Sequence, residues 1–123
     1  MATLTPTLTL ASSDMNGDVL NLSVTDSLSV LGQVTTKQVV ATTTGVVFAT
    51  AANYTKSYVY LKNLSTTAAE IITIEKADGD DEYFTLGAGE FAFFPWASIV
   101  DLALDAAQGS PVLEVRIYQE AAA

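Results

Sequence analysis

Residues 89–96 read GEFAFFPW, and this stretch does most to decide the fold class. Successive side chains of an extended strand point to opposite faces, so Phe91 and Phe93 share one face and Phe94 lies on the other. Pro95 cannot donate a hydrogen bond to a strand ladder and ends the pattern. The stretch therefore predicts a β-strand with large apolar side chains on both of its faces.

Short alternating or apolar runs of this kind recur along the chain, separated by turns rich in Gly, Asn and Asp. Two of them have a second interpretation. Residues 19–31 contain a break at Asp26-Ser27 and form either one strand with a bulge or two short strands, and residues 98–107 could instead form a short helical turn. Many short strands at close spacing predict an all-β, antiparallel β-sandwich of jelly-roll or immunoglobulin-like type. The predicted runs are residues 19–31, 34–41, 46–49, 58–63, 69–76, 83–86, 90–96, 99–104 and 112–118.

The N-terminal residues predict a separate element. Leu4, Leu8 and Leu10 alternate with threonines around Pro6, a pattern typical of an edge strand or an extended arm. Asn16-Gly17 is a strong turn signal just beyond it. We therefore expect an N-terminal arm or edge strand at residues 1–15 and a single sandwich domain at residues 16–123.

The composition excludes several kinds of chemistry. The chain has no cysteine and no histidine, so disulfides, Cys/His zinc sites, cysteine nucleophiles and Ser-His-Asp triads are impossible. Its formal net charge is −9, and its few Lys and Arg residues are scattered, which argues against direct nucleic-acid binding. We expect no enzyme activity, no cofactor and no catalytic or metal-binding residues.

Two acidic patterns have alternative interpretations. The run at residues 78–82, Asp-Gly-Asp-Asp-Glu, offers oxygen ligands to calcium, but its spacing differs from the twelve-residue calcium loop and suits a solvated hairpin tip equally well. Paired carboxylates on the strands could serve a glycosidase, yet outward-facing Glu is ordinary on a sheet surface. Neither pattern identifies a site.

No signal peptide and no membrane span are expected. The N-terminus has neither a basic segment nor a continuous apolar core, and no apolar run approaches about 18 residues. We therefore expect synthesis in the cytoplasm, and release by lysis or within a particle if the protein acts outside the cell.

Surplus apolar side chains predict an interface. A strand that is bulky on both faces needs cover on the second face, and an alternating arm can add a strand to the sheet of a partner. Core packing is the alternative for the aromatic residues, and an ordinary edge strand is the alternative for the arm. The candidate interface residues are Leu4, Pro6, Leu8, Leu10, Tyr58, Tyr60, Phe91, Phe93, Phe94 and Trp96.

With these residues in view, the chain resembles the small β-sandwich virion proteins of tailed bacteriophages, particularly capsid decoration or cement proteins. The likeness lies in Tyr58-Val59-Tyr60-Leu61-Lys62-Asn63, in residues 71–75 and in residues 86–96, where a Gly-Glu-Phe step leads into an apolar strand ending in Pro. It covers about half of the chain, residues 55–119, and is a likeness of pattern without a diagnostic motif.

The resemblance implies a structural protein on the capsid surface of a virion, made in the host cytoplasm. Its partners would be the major capsid protein and further copies of itself, commonly a homotrimer, and it would stabilise contacts between capsomers. The acidic surface suits the outside of a shell better than contact with DNA. Two alternatives stay open: a glycan-binding adhesin of a tail, fibre or head spike, and a stand-alone carbohydrate-binding module.

Overall fold

The computed structural model describes residues 2–14, 20–77 and 81–121, with Leu20 described by its backbone alone. These residues form an all-β protein whose strands pair antiparallel, and none of them lies in an α-helix; a single 3-10 turn spans Ala51–Asn53. The strands are β1 (Ala2–Leu4), β2 (Thr7–Ser12), β3 (Leu20–Thr25), β4 (Leu28–Val40), β5 (Val46–Ala49), β6 (Ser57–Asn63), β7 (Ile72–Lys76), β8 (Glu82–Leu86), β9 (Phe91–Trp96), β10 (Leu102–Ala106) and β11 (Val112–Glu120).

The chain divides into two compact units, Met1–Gly32 with Ala121–Ala123, and Gln33–Glu120. The division falls inside β4, so the first unit extends well past the arm predicted at residues 1–15. Strand β4 also runs without interruption through Gly32, where the sequence predicted a break between two strands. Nothing lies within 4 Å of the position that a Cβ atom of Gly32 would take, so a residue with a side chain would also fit there.

In the first unit, Pro6 separates two short strands. Strand β1 precedes it and pairs with the start of β4, from Ala2 opposite Val30 to Leu4 opposite Leu28. Strand β2 follows it and pairs with β3 as a two-stranded hairpin, and the carbonyl of Pro6 accepts a hydrogen bond from the Asp26 amide at 3.1 Å. The residues around the predicted Asn16-Gly17 turn lie outside the described part of the chain.

In the second unit, eight strands form two sheets with the orders β4-β11-β6-β9 and β5-β10-β7-β8. The pairing is nested: β7 pairs with β8, β6 with β9, β5 with β10 and β4 with β11. A long antiparallel hairpin that is rolled into two sheets gives this order, which is that of a jelly roll. The sequence-based expectation of an antiparallel sandwich is confirmed, and the strand order selects the jelly-roll alternative.

The core of this unit is filled by alternate side chains from both sheets. Strand β6 shows the pattern most clearly, because Ser57, Val59, Leu61 and Asn63 are buried while the residues between them are half-exposed. The same alternation continues in the paired strands, as expected for a sheet with one face against the core. The buried apolar residues are Ala41, Phe48, Ala49, Val59, Leu61, Ile72, Ile74, Leu86, Trp96, Leu102, Leu104, Ala106, Leu113, Val115 and Ile117.

A buried polar residue, Asn63, fixes two turns at the end of this core. Its side-chain amide donates to the carbonyls of Glu70 at 2.9 Å and Leu86 at 3.0 Å, and its side-chain oxygen accepts from the Ser65 amide at 2.9 Å. Its backbone also exchanges hydrogen bonds with the turn at residues 87–90. One fully buried side chain therefore holds the connections that precede β7 and β9.

Candidate functional site

The outer face of the β4-β11-β6-β9 sheet carries most of the exposed aromatic residues. The register places each outward residue of β6 between one residue of β11 and one of β9. Three rows result, each with at least one aromatic ring. They are Tyr118-Tyr58-Pro95, Arg116-Tyr60-Phe93 and Glu114-Lys62-Phe91.

The two phenylalanines are the most exposed members of this outer aromatic face. Phe91 is 62% exposed and Phe93 is 41% exposed. The ring of Phe93 stacks beside that of Tyr58, with centroids 6.4 Å apart and planes inclined by 15°. The ammonium group of Lys56 lies 5.5 Å from the centroid of Tyr58, within the range of a cation–π contact. The rings thus form an aromatic platform on the outer face, and Phe91 and Phe93 are its most exposed aromatic members.

Charged groups of both signs flank the platform. Glu114 and Arg116 form an ion pair at 3.9 Å, and both side chains project from the same face of β11. Partial burial, followed by the neighbouring Glu114 carboxylate, raises the pKa of the Tyr60 phenol above its ordinary value. Tyr60 therefore stays neutral through the physiological range. An apolar centre with a polar surround is the usual composition of a protein-binding surface.

Side chains of a β-strand alternate between the two faces of its sheet, so the predicted interface residues of β6 and β9 fall into two groups. Tyr58, Tyr60, Phe91 and Phe93 lie on the outer aromatic face. The alternation predicted that Phe91 and Phe93 share a face, but not that this face points outward. Phe94 points to the other face, where its ring meets that of Phe84 edge-on at 5.6 Å.

Trp96 lies in the core and not on a surface. It is 6% exposed, its ring packs against Tyr54 at 5.7 Å, and its indole N–H donates to the Val100 carbonyl at 3.1 Å. The sequence suggested Trp96 as an interface residue because it belongs to the dense aromatic cluster of a strand that is bulky on both faces. The alternation that places Phe91 and Phe93 outward places Trp96 inward.

The remaining predicted residues lie in the first unit. Leu4 and Pro6 are half-buried, whereas Leu8 and Leu10 are exposed by 46% and 44%. The register of the hairpin sets Leu8 opposite Val24 and Leu10 opposite Leu22. Leu22 and Val24 are not among the predicted interface residues, although the alternation after the Asn16-Gly17 turn signal indicates that they share a face.

The carboxylates near the turns act structurally. Glu90 accepts the Gly87 amide at 2.5 Å, Asp101 accepts the Ala51 amide at 2.7 Å, and Glu70 accepts the Ser65 hydroxyl at 2.6 Å. Each closes a loop and none forms a pair of carboxylates facing a common cavity. Among the described residues, no group of three or more Asp, Glu, His or Cys residues is placed to hold a metal ion. Asp78, Gly79 and Asp80 of the suggested calcium loop lie outside those residues.

An open cleft of about 520 Å³ lies beside the outermost strands of the two sheets. Phe84 and Leu86 of β8 line one side, and Phe91 and Ala92 of β9 line the other. Thr85, Gly89 and Glu90 complete its lining. No described helix is long and apolar enough to cross a membrane.

The comparisons with known proteins find no relative of this chain. No family model matches the chain, and neither a curated protein nor a solved structure is similar to it at a significant level. The function must therefore be argued from the fold and the surfaces alone.

Proposed function

We propose that this protein is a structural component of a bacteriophage virion, a decoration or cement protein that binds the outer surface of the capsid and stabilises contacts between capsomers. The observation that carries the proposal is the outer aromatic face, where Phe91 and Phe93 lie exposed on β9, the strand at one edge of its sheet. The resemblance of the β6 and β9 sequences to such virion proteins agrees with it.

The physical basis is that exposed aromatic residues on a rigid strand are effective anchors for a protein partner. Full burial of a phenylalanine side chain contributes about 1.5–3 kcal/mol. Given their exposed fractions, Phe91 and Phe93 together would contribute roughly that amount at each docking site. Anchors of this kind cluster at the centre of an interface and are enclosed by polar contacts. Lys62, Glu114 and Arg116 are placed to supply those contacts.

The charge balance agrees with a position on the outside of a shell. With 14 acidic and 5 basic residues, the protein would be repelled by packaged DNA. A position on the outer surface of the shell avoids that repulsion.

The test is binding to capsids that lack the protein. The Phe91→Ser, Phe93→Ser double variant should bind such capsids at least 10-fold more weakly than the wild type, measured by co-sedimentation, since loss of about 1.4 kcal/mol is tenfold. The wild-type protein should also raise the temperature at which the particles release DNA. The matched control is Tyr83→Ser, because Tyr83 is similarly exposed, at 47%, but lies on β8 of the other sheet. Absence of wild-type binding, together with equal heat resistance of particles with and without the protein, would refute the proposal.

A second candidate function is glycan binding, as in a tail, fibre or spike adhesin or a stand-alone carbohydrate-binding module. The specific observation is the pair of nearly parallel rings, Tyr58 and Phe93, beside charged hydrogen-bonding groups. A glycan array with the wild type and Phe93→Ala distinguishes the two functions: binding that depends on Phe93, without capsid binding, favours the adhesin. Quenching of Trp96 fluorescence is unsuited to this test because that ring is buried.

A further inference from the structure

Strand β9 lies at the end of its sheet with an open backbone edge. One edge pairs with β6, and no described strand pairs with the other. The amide of Asn63 in β6 donates to the Glu90 carbonyl at 3.0 Å. Because the backbone groups of successive residues alternate between the two edges of a strand, those of Phe91, Phe93 and Pro95 point away from β6. Pro95 fits this assignment, since it has no N–H to leave unpaired.

The edges of the other sheet carry protection that β9 lacks. Strand β5 has only four residues, and its Phe48 carbonyl accepts a hydrogen bond from the Lys37 ammonium group. Strand β8 begins with the exposed, charged Glu82. Short length and charged side chains are common means of keeping an edge from pairing. Strand β9 contains no charged residue, its Phe91 side chain is 62% exposed, and Pro95 interrupts only its end. It is therefore the edge most open to a further strand.

A strand added to this edge would also fill the cleft between β8 and β9. One set of its alternating side chains would lie beside Phe91 and Phe93 on the outer aromatic face. The other set would enter the cleft of about 520 Å³, over Phe84, Leu86 and Ala92. In strand addition, main-chain hydrogen bonds give affinity and pockets for alternate side chains give specificity. A helix pairs its backbone groups internally and could not supply those bonds, so the edge and the cleft together fit an extended polypeptide.

The charges around the cleft favour a basic segment. Glu90 is the one ionisable residue among the described residues that line it. Asp81 and Glu82 lie exposed at the start of β8, whose other end lines the cleft. Lys62 is opposite Phe91 but belongs to the outer face. Lysine or arginine near the ends of the added strand would therefore complement these carboxylates.

A second copy of this chain fits the edge poorly. If two β9 strands paired antiparallel about Phe93, Pro95 of one would lie opposite Phe91 of the other. Proline has no N–H to donate, so the Phe91 carbonyls would stay unpaired. Two chains that each carry a net charge of −9 would also repel one another. The edge thus favours a different chain as the partner.

From these observations we infer that β9 is a strand-addition site. It binds an extended, basic segment of another protein, antiparallel to β9, with apolar side chains at alternate positions in the cleft. This goes beyond the proposed function, which requires only the outer aromatic face.

The probe is the peptide acetyl-Lys-Thr-Val-Thr-Val-Thr-Lys-amide, tested on the full chain. With its central Thr opposite Phe93, the valines face the cleft and the C-terminal Lys lies opposite Glu90. Hydrogen exchange of the Phe91 and Phe93 amides, followed by NMR, should slow about 10-fold at a peptide concentration about ten times the Kd, because only the free protein exchanges there. The Ala92 amide already faces β6 and should change less.

Two matched peptides separate strand addition from unspecific apolar binding. N-methylation of the central Thr removes the N–H that an antiparallel strand directs to the Phe93 carbonyl, and it should weaken binding at least about 10-fold. N-methylation of the next Val removes an N–H that points away from β9 and should have little effect. Glutamate in place of both lysines should weaken binding several-fold.

Two variants test the same edge from the side of the protein. Phe93→Ser removes the ring and keeps the outward N–H, whereas Phe93→Pro removes both, so the Pro variant should bind the peptide at least about 10-fold more weakly than the Ser variant. The near-ultraviolet circular dichroism of the buried Trp96 reports whether each variant is folded.

Four results would overturn the inference: exchange at Phe91 and Phe93 that the peptide leaves unchanged, equal or reversed effects of the two methylations, tighter binding of the glutamate peptide, or protection of these amides that grows with protein concentration alone. The last result would assign the edge to a second copy. The assay contains no capsid, so its failure is distinguishable from failure of the proposed function.

Discussion

At the scale of single residues, a few polar side chains hold the turns in place through hydrogen bonds to backbone groups, which apolar side chains could not make. Asn63 is fully buried and has each of its side-chain hydrogen-bonding atoms paired. Ser98 has a second such role: it adopts φ of 62°, and its hydroxyl lies 2.7 Å and 2.8 Å from the carbonyl oxygens of Ala51 and Tyr54. A left-handed conformation at a residue other than glycine is costly unless contacts of this kind hold it.

We expect Asn63→Ala to lower the free energy of unfolding by about 2–4 kcal/mol, because it leaves two buried carbonyls and one amide without partners. Urea unfolding followed by circular dichroism measures the change. Thr66→Ala is the control, since it removes an exposed hydroxyl from the same loop and should change the free energy of unfolding by less than about 0.5 kcal/mol. Equal losses in the two variants would show that Asn63 is not the residue that organises these turns.

At the scale of elements, strand β9 illustrates what alternation determines. Phe93 and Phe94 are adjacent in sequence, yet one lies on the outer aromatic face and the other packs against the core and Phe84. The free energy of folding should depend on Phe94, whereas partner binding should depend on Phe93.

Phe94→Ala should therefore destabilise the protein by roughly 2–3 kcal/mol, as expected for a large apolar side chain that is partly buried. Phe93→Ala should change the stability by less than about 1 kcal/mol, because its ring is already 41% exposed. Chemical denaturation of the two variants, side by side, checks the difference. A reversed order would place the core on the other face of β9.

The same elements show how far the sequence could be interpreted. It predicted most of the strands, the break at Asp26-Ser27 and the partition of Phe91 and Phe93 from Phe94, but it divided β4 at Gly32, through which the strand continues. It could not say which face of β9 is the core, because both faces are bulky; the pairing with β6, whose buried residues include Val59 and Leu61, decides that. Strand β10 (Leu102–Ala106) resolves the ambiguity at residues 98–107 in favour of a strand, through pairing on both sides that no local pattern reveals.

At the scale of the whole molecule, nested pairing governs the loops that folding must close. Residues 77–81 separate β7 from β8, whereas residues 41–111 separate β4 from β11. Closure of the longer loop costs about 2 kcal/mol more if each were closed independently. Once β7 has paired with β8, the loop that must close to pair β6 with β9 is effectively shorter, and the same holds for each further pair outward.

We therefore predict that the jelly roll folds from the β7–β8 pair outward. Ile74→Val in β7 should mainly slow folding, and Val39→Ala in β4 should mainly speed unfolding. Stopped-flow kinetics in urea, with each change in rate compared with the change in equilibrium stability, measures the two effects. Slower folding in the Val39 variant with little change in its unfolding rate would place the nucleus at the outer pair.

The side-by-side arrangement of β4 and β11 has a consequence for protein engineering. Because the first and last strands of the jelly roll are hydrogen-bonded neighbours, a short linker can join them and new termini can be opened between β7 and β8. Such a circular permutant of residues 28–120 would retain every strand pair of the jelly roll, and the β4–β11 pair, which spans the longest loop in the natural chain, would become the most local one. The architecture is thus a property of a closed cycle of strands, and the place where the polypeptide begins is a separate choice.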